Sequence, residues 1–310
     1  MKIITLTMNP ALDKSSKVSN IRPDSKLRCD PPSYQPGGGG INVARAINKL
    51  GGQAKCAYLA GGPNAEVMQH LLREEEVEQH IISIQNWTRE NFVVVDKANG
   101  QQFRFGMPGA EVSEEECRKT LEEMESLCHQ ADYVVGSGSL PPGAPTDFWA
   151  KLAHIARKND ARCVIDTSGE PLLAAAEEGV YLLKPNLGEL GALTDKKSIT
   201  AHDQEDLARK LISDEKCEVV VVSMGPQGAM LVSRDELCYI PAPTVHKQST
   251  VGAGDSMVAG MVMSLASDMP LADMARYGVA AGTAATMNEG TALCKKEDTD
   301  RLYQWIKNRE

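Results

Sequence analysis

The stretch STVGAGDS, Ser249–Ser256, sets Gly252, Ala253 and Gly254 directly before Asp255, and an apolar run at helical spacing follows at once. Helix N-termini present unpaired N–H groups and the positive end of the macrodipole, so they attract anions. An aspartate at such a place can be a plain cap. Three small residues in a row are more than a cap needs. Bare backbone beside a carboxylate reads instead as an anion cradle with a base at its lip.

Upstream of this loop, short β-branched runs alternate with helical patterns. IITLTMNP opens as a strand, and INVARAINKLGG carries Ile41, Ala44, Ile47 and Leu50 at helical spacing before stopping at Gly51 and Gly52. KCAYLAGG, ADYVVGSGS, RCVIDTSG, VYLLKPN and CEVVVVSMG read as buried strands. Between them lie helices such as 113–130, whose Ser113 and Glu116 fit a capping box. Strands alternating with helices predict a mostly parallel sheet covered on both faces, a three-layer α/β/α domain. The strands end in small polar or charged groups: NPALD, GSGS, DTSG, KPN, SMGPQG. Any one ending serves a turn; five together point to a ligand site outside the carboxyl ends of the strands.

Two stretches break the alternation. Residues 14–34 and 87–107 carry strand patterns without helical partners, the second with an Ala-Asn-Gly turn. They predict a small β-sheet lid inserted into one domain spanning 1–310.

Bulk numbers bound the function. In 310 residues, 33 basic side chains face 42 acidic ones, a net charge of −9 with no Lys/Arg block. This argues against nucleic acid or an anionic membrane as the main partner. No apolar run approaches a membrane span of about 20 residues. The eight cysteines never come closer than eleven residues apart, so neither a CxxC dithiol nor a zinc motif is present. With no leader-like segment, reduced thiols in a cytoplasmic protein are expected. GxxxxGK[ST], the Rossmann GxGxxG and GxSxG are all missing, which disfavours a P-loop ATPase, a dinucleotide dehydrogenase and an α/β-hydrolase.

What the chain offers is a pair of glycine clusters, PGGGGINVARAINKLGG at 36–52 and TVGAGDS at 250–256. Four glycines before a helix let backbone approach a ligand, and Asn42 in the first turn can bond to it. The pair resembles the two signatures of the ribokinase-like, phosphofructokinase B family of sugar kinases. NPALD at 9–13, GSLPPG at 138–143, KPNLGEL at 184–190 and SMGPQGA at 223–229 agree with it, and the likeness runs from residue 3 to 305. KLRC at 26–29 and WTREN at 87–91 resemble the branch that includes the minor bacterial 6-phosphofructokinases.

The resemblance implies a ribokinase-like fold and ATP- and Mg²⁺-dependent phosphorylation of a ketohexose phosphate. Fructose 6-phosphate is the implied acceptor, with fructose 1-phosphate or tagatose 6-phosphate as alternatives. It makes Asp255 the base, with Gly252, Ala253 and Gly254 as the anion hole. Asp13, Gly37, Gly38, Gly39, Asn42 and Ser139 fall at sugar positions, and Arg89, Lys26 and Arg28 at the phosphate end. Lys184, Asn186, Ser223, Gly225 and Gly228 match nucleotide positions, and Glu189 of the NxxE element matches the magnesium position. The residue types suit phosphoryl transfer, which is mainly positioning and charge neutralisation with a carboxylate to take the hydroxyl proton. Taken alone, Glu189 reads as an ordinary carboxylate early in a helix. Glu90, beside Arg89, is a negative neighbour that could compete with a phosphate. A non-catalytic sugar-phosphate sensor is the rival reading, but a sensor has no need of Asp255. The resemblance also implies a homodimer paired through the lid. The six histidines are assigned no role.

Overall fold

The computed structural model describes residues 1–196, 199–200, 203–288, 290 and 292–309. His202 lies outside them. Among those residues the elements run β1 (Ile3–Thr7), β2 (Ala11–Val18), β3 (Ser33–Gly37), α1 (Gly39–Lys49), β4 (Lys55–Ala60), α2 (Gly62–Glu74) and β5 (Glu78–Ser83). Next come β6 (Arg89–Asp96), β7 (Gln102–Phe105), α3 (Glu114–Cys128), β8 (Tyr133–Ser137), α4 (Phe148–Lys158), β9 (Arg162–Asp166) and α5 (Glu170–Glu178). The remainder are β10 (Val180–Leu183), α6 (Leu187–Leu193), α7 (Asp203–Ser213), β11 (Cys217–Ser223), β12 (Ala229–Ser233), β13 (Leu237–Ile240), α8 (Ala253–Ala266), α9 (Leu271–Thr286) and α10 (Lys296–Lys307).

The main sheet has the order β13-β12-β11-β10-β9-β8-β1-β4-β5. It is parallel from β5 to β11 and turns antiparallel at β12 and β13. Side chains alternate across it as strand geometry requires. Tyr133, Val135, Val219 and Val221 join one core with α1, α2, α8, α9 and α10. Val134, Val220 and Val222 join the other with α3 to α7. The predicted three layers are therefore present. The capping box on Ser113 and Glu116 forms as expected. Seven of the eight cysteines are buried or half-buried thiols, and burial pushes Cys56, Cys128 and Cys217 up to about 12.

The lid is a separate sheet of order β3-β2-β6-β7. Its bounds differ from the expected 14–34 and 87–107. Strand β2 starts at Ala11 and β3 runs to Gly37, because Ala11 pairs with both Gly37 and Arg89 and extends the ladder to the domain's edge. The second segment is strand only over β6 and β7, joined through the turn ending at Gly100 (φ +73°). A second correction concerns the glycine run. Helix α1 begins at Gly39, so Gly39 and Gly40 form its first turn rather than preceding it. A Cβ at Gly39 would lie 2.3 Å from Ser137 Oγ, and one at Gly40 would lie 2.5 Å from the Leu6 carbonyl. These glycines seat α1 hard against β1 and β8.

Candidate active site

The carboxyl ends of β1, β8, β9, β10 and β11 all open on one side, beneath the lid and the mouth of α8. Helix α8 is apolar nearly all round and buried from Ser256 to Met261, as befits a helix packed between α1 and α9. Its N-cap, Gly252, is left-handed at φ +73°, and a Cβ there would meet Leu293 at 2.5 Å. Ser249 Oγ accepts from the Val251 N–H and donates to the Gly290 carbonyl, which fixes the approach to the turn. The N–H groups of Gly252 and Gly254 have no protein partner among the described residues, and that of Ala253 makes only a long 3.4 Å contact to the Thr250 carbonyl. These N–H groups ring the turn beside Asp255, and the concave turn is called the cradle below.

Asp255 is half-buried in the first turn of α8. Its Oδ2 accepts from Asn42 Nδ2 at 2.9 Å. Burial, reinforced by the nearby Asp166, pushes its carboxyl up to about 7, against the opposing pull of Asn42 and Lys184. A carboxylate poised there suits a general base near neutral pH. Lys184, at the end of β10, pairs with Asp166 Oδ1 at 3.1 Å and is 8 % exposed. Burial alone would lower its ammonium, but Asp166, Glu189 and Asp255 outweigh that and hold it above its ordinary value. Its Nζ would sit 3.7 Å from a Cβ on Gly254, so the cation overlooks the cradle. Asp166, which closes β9 within DTSG, is one of the site residues that the sequence reading missed, and its only signal was the polar strand ending.

On one side of the cradle lies a cavity of about 420 Å³ lined by Lys184, Ser223, Gly225, Gly228, Ala253 and Gly254. Val245, Met257 and Val279 give it an apolar wall. Gly228 sits at φ +104°, where a Cβ would lie 1.9 Å from the Ile240 carbonyl, so its glycine is demanded by the β12 turn as well as by any ligand. Gly225 (φ +58°) faces open space. Asn186 and Glu189 stand beside this cavity's Lys184 end and form a reciprocal capping box on α6, both bonds 2.9 Å. The ordinary helix role of Glu189 is therefore real. It uses Oε2 and leaves Oε1 for another partner.

On the other side, the parallel pairing of β2 with β6 puts Asp13 opposite Asn91 and Ala11 opposite Arg89. Asp13 Oδ1 accepts from Asn91 Nδ2 at 2.9 Å, and burial holds its carboxyl above the usual range despite Asn91 and Arg89. Gly37 is bare because a Cβ would lie 2.3 Å from Asp13 Oδ2, while Gly38 is left-handed at φ +120° against Thr7 and Pro10. Arg89 donates to the carbonyls of Asn9, Pro10 and Met107. Three of its five donors are so engaged, which leaves one N–H on each terminal nitrogen. Asn9 Nδ2 in turn donates to Ser139 Oγ at 3.1 Å. Glu90 does not compete: strand alternation turns it to the opposite face, where it meets Lys14 at 3.4 Å. Lys26 and Arg28 do not join this cluster. Both lie exposed in the β2–β3 connection, without a bond to it among the described residues.

A half-buried carboxylate, flanked by unpartnered backbone N–H groups and a buried lysine, thus stands between an apolar-walled cavity and a cleft bordered by Asp13, Asn42 and Arg89. That is the layout of a kinase acting on a small polyol. The chain belongs to the pfkB family of carbohydrate kinases, whose model matches residues 3–298. It is 44% identical over 307 residues to the ATP-dependent 6-phosphofructokinase isozyme 2 of Escherichia coli (strain K12), covering 99% of both chains. It is 32% identical over 287 residues to the 1-phosphofructokinase of Bacillus subtilis (strain 168), covering 93% of each. The crystal structure of phosphofructokinase-2 from Escherichia coli in complex with substrates and products superposes with a TM-score of 0.93 at 43% identity, over 99% of this chain and 100% of that one.

Proposed function

We propose that the protein transfers the γ-phosphoryl group of ATP to the free primary hydroxyl of fructose 6-phosphate, giving fructose 1,6-bisphosphate. The observation that carries this reading is the position of Asp255. Through Asn42 it touches the sugar-side cleft, and through Gly254 it adjoins the cavity lined by Lys184 and Gly228. In that arrangement Asp255 takes the hydroxyl proton, and the N–H groups of Gly252 and Gly254, with Ala253 between them, meet charge developing on the transferred group. Lys184 holds the phosphate chain. Ser223, Gly225 and Gly228 border the nucleotide, while Asp13, Asn42 and Ser139 hold sugar hydroxyls. Arg89 takes the phosphate already on the sugar with its two remaining N–H groups.

The donor set fits Mg²⁺. Among the described residues no three His, Cys, Asp or Glu side chains converge as a metal cage. Mg²⁺ keeps several waters and is bound by few carboxylates together with substrate phosphates, and the free Oε1 of Glu189 suits such a role. When bound, the ion would neutralise phosphate charge.

A homodimer through the lid is part of the proposal. Tyr34, Phe103 and Phe105 on the lid's strands are exposed aromatic side chains, with Leu27 and Met107 exposed in the adjoining loops, and Phe105 stacks on Phe92 at 6.3 Å. Apolar surface gathered on one thin sheet marks an interaction face. Among the described residues no helix is long and apolar enough to cross a membrane.

ADP release measured across free and phosphorylated ketohexoses tests the reading. It requires fructose 6-phosphate to give the highest kcat/KM; preference for fructose 1-phosphate, tagatose 6-phosphate or free fructose overturns the acceptor, and no sugar-dependent ADP overturns the kinase.

A further inference from the structure

We propose that Arg45 is a positioning residue for this reaction: it fixes the side-chain amide of Asn42 so that Nδ2, and not Oδ1, faces Asp255. The proposal rests on Asp255 acting as the base. Arg45 lies on α1 and is 2 % exposed. Its Nη1 donates to Asn42 Oδ1 at 3.4 Å and to the Pro36 carbonyl at 2.8 Å. Its Nε and Nη2 donate to the two carboxylate oxygens of Glu75 at 2.7 and 2.6 Å. Glu75, the C-cap of α2, is itself clamped to α1, since Asn48 Nδ2 donates to the Glu75 and Glu76 carbonyls. A continuous chain therefore runs from the end of α2 through α1 to the mouth of α8.

The chemistry of the partners makes this chain directional. A guanidinium carries five donors and no acceptor, so only the oxygen of an amide can face it. With Oδ1 turned to Arg45, the NH₂ group is left for Asp255, where it stabilises the ionised carboxylate. Without Arg45 the amide can rotate by half a turn. Its oxygen would then face Asp255 and favour the protonated acid, which cannot serve as a base. The bidentate Glu75 pair holds the guanidinium plane, and a lysine's single nitrogen cannot meet Glu75, Pro36 and Asn42 together. The other charged groups facing Asp255 are Asp166 from β9 and Lys184 from β10, and neither touches Arg45.

The test is kcat against pH, at saturating ATP and fructose 6-phosphate, for wild type, Arg45→Lys and Arg45→Met, with circular dichroism to confirm folding. The proposal expects the acid limb of kcat to move up by about one pH unit in Arg45→Met and by less in Arg45→Lys. At pH 7 kcat should fall about fivefold in the Met variant, the loss of ionised carboxylate that a one-unit shift from about 7 brings, with the KM for ATP unchanged. A folded variant with a wild-type limb overturns the proposal, as does a lower kcat with an unmoved limb, which is the signature of a merely structural role. If Arg45→Met does not fold, the Arg45→Lys limb decides alone, because Lys keeps a cation beside Glu75. Asp255→Asn separates the two readings: if it is active, the base assignment fails, and if it is inactive while the Arg45 limbs are unmoved, only the present proposal fails.

Discussion

The ammonium of Lys184 lies 3.1 Å from Asp166 Oδ1, and both groups face Asp255 from neighbouring strands. The two act on the Asp255 carboxyl in opposite senses. Asp166 is a like charge that raises the Asp255 carboxyl, and Lys184 an opposite charge that lowers it. Asp166→Asn should therefore move the acid limb of kcat down and Lys184→Met should move it up, each by about one pH unit. Shifts of the same sign in both variants would mean that the limb does not report Asp255.

Arg89 sits on the lid with two N–H groups to spare. Arg89→Ala should raise the KM for fructose 6-phosphate about tenfold or more, the worth of a charged hydrogen bond, while the KM for ATP barely moves. Arg89→Lys should recover part of that loss, because a point charge cannot reproduce the fork. Since the Ala variant also frees the carbonyls of Asn9, Pro10 and Met107, its melting temperature is measured alongside. An unchanged sugar KM contradicts the assignment.

The capping role of Glu189 and its proposed metal role can be separated by one substitution. Glu189→Gln keeps a carbonyl oxygen for the Asn186 N–H, so α6 stays capped. The free carboxylate charge is lost. Its Mg²⁺ requirement should rise and its kcat fall, with little change in sugar affinity. A magnesium titration that overlays the wild type leaves Glu189 as a helix cap alone.

The raised Asp255 also costs stability at neutral pH. Its carboxyl moves from 3.8 to about 7 on folding, so the native state binds the proton more tightly. The group's contribution is fully present below 3.8 and is lost as pH rises through about 7. Relative to wild type, Asp255→Asn should melt a few degrees higher at about pH 8 and show less gain at about pH 4. An equal difference at both pH values contradicts the shift.

Much of this site was legible before the fold was known, and the misses have physical causes. Buried strands such as β8 and β11 announce themselves because both faces are apolar, giving unbroken runs like CEVVVVS. Strand β5 does not: on the sheet's edge it buries only Ile82, and EQHIIS has no clear period. Strands β12 and β13 form an antiparallel edge that departs from the β/α alternation used to find the others. Asp255 and Asn42 stand out as candidates because glycine-rich turns flag them, and Asp13 because NPALD resembles a family motif. Arg45 and Glu75 do not, since an arginine and a glutamate thirty residues apart look like solvated charges until α1 and α2 pack. Glu90 was misjudged for the opposite reason. Sequence adjacency to Arg89 suggested proximity, whereas a strand sends neighbours to opposite faces.

The central claim is that Asp255 is the base between two binding clefts. The most direct measurement is kcat for Asp255→Asn, together with the dissociation constants of ATP and fructose 6-phosphate. The amide keeps the shape of the carboxylate and cannot take a proton, so kcat should fall by about 10²–10⁴-fold while both ligands still bind. A variant that keeps more than about a tenth of wild-type kcat, far above that expectation, would place the base elsewhere.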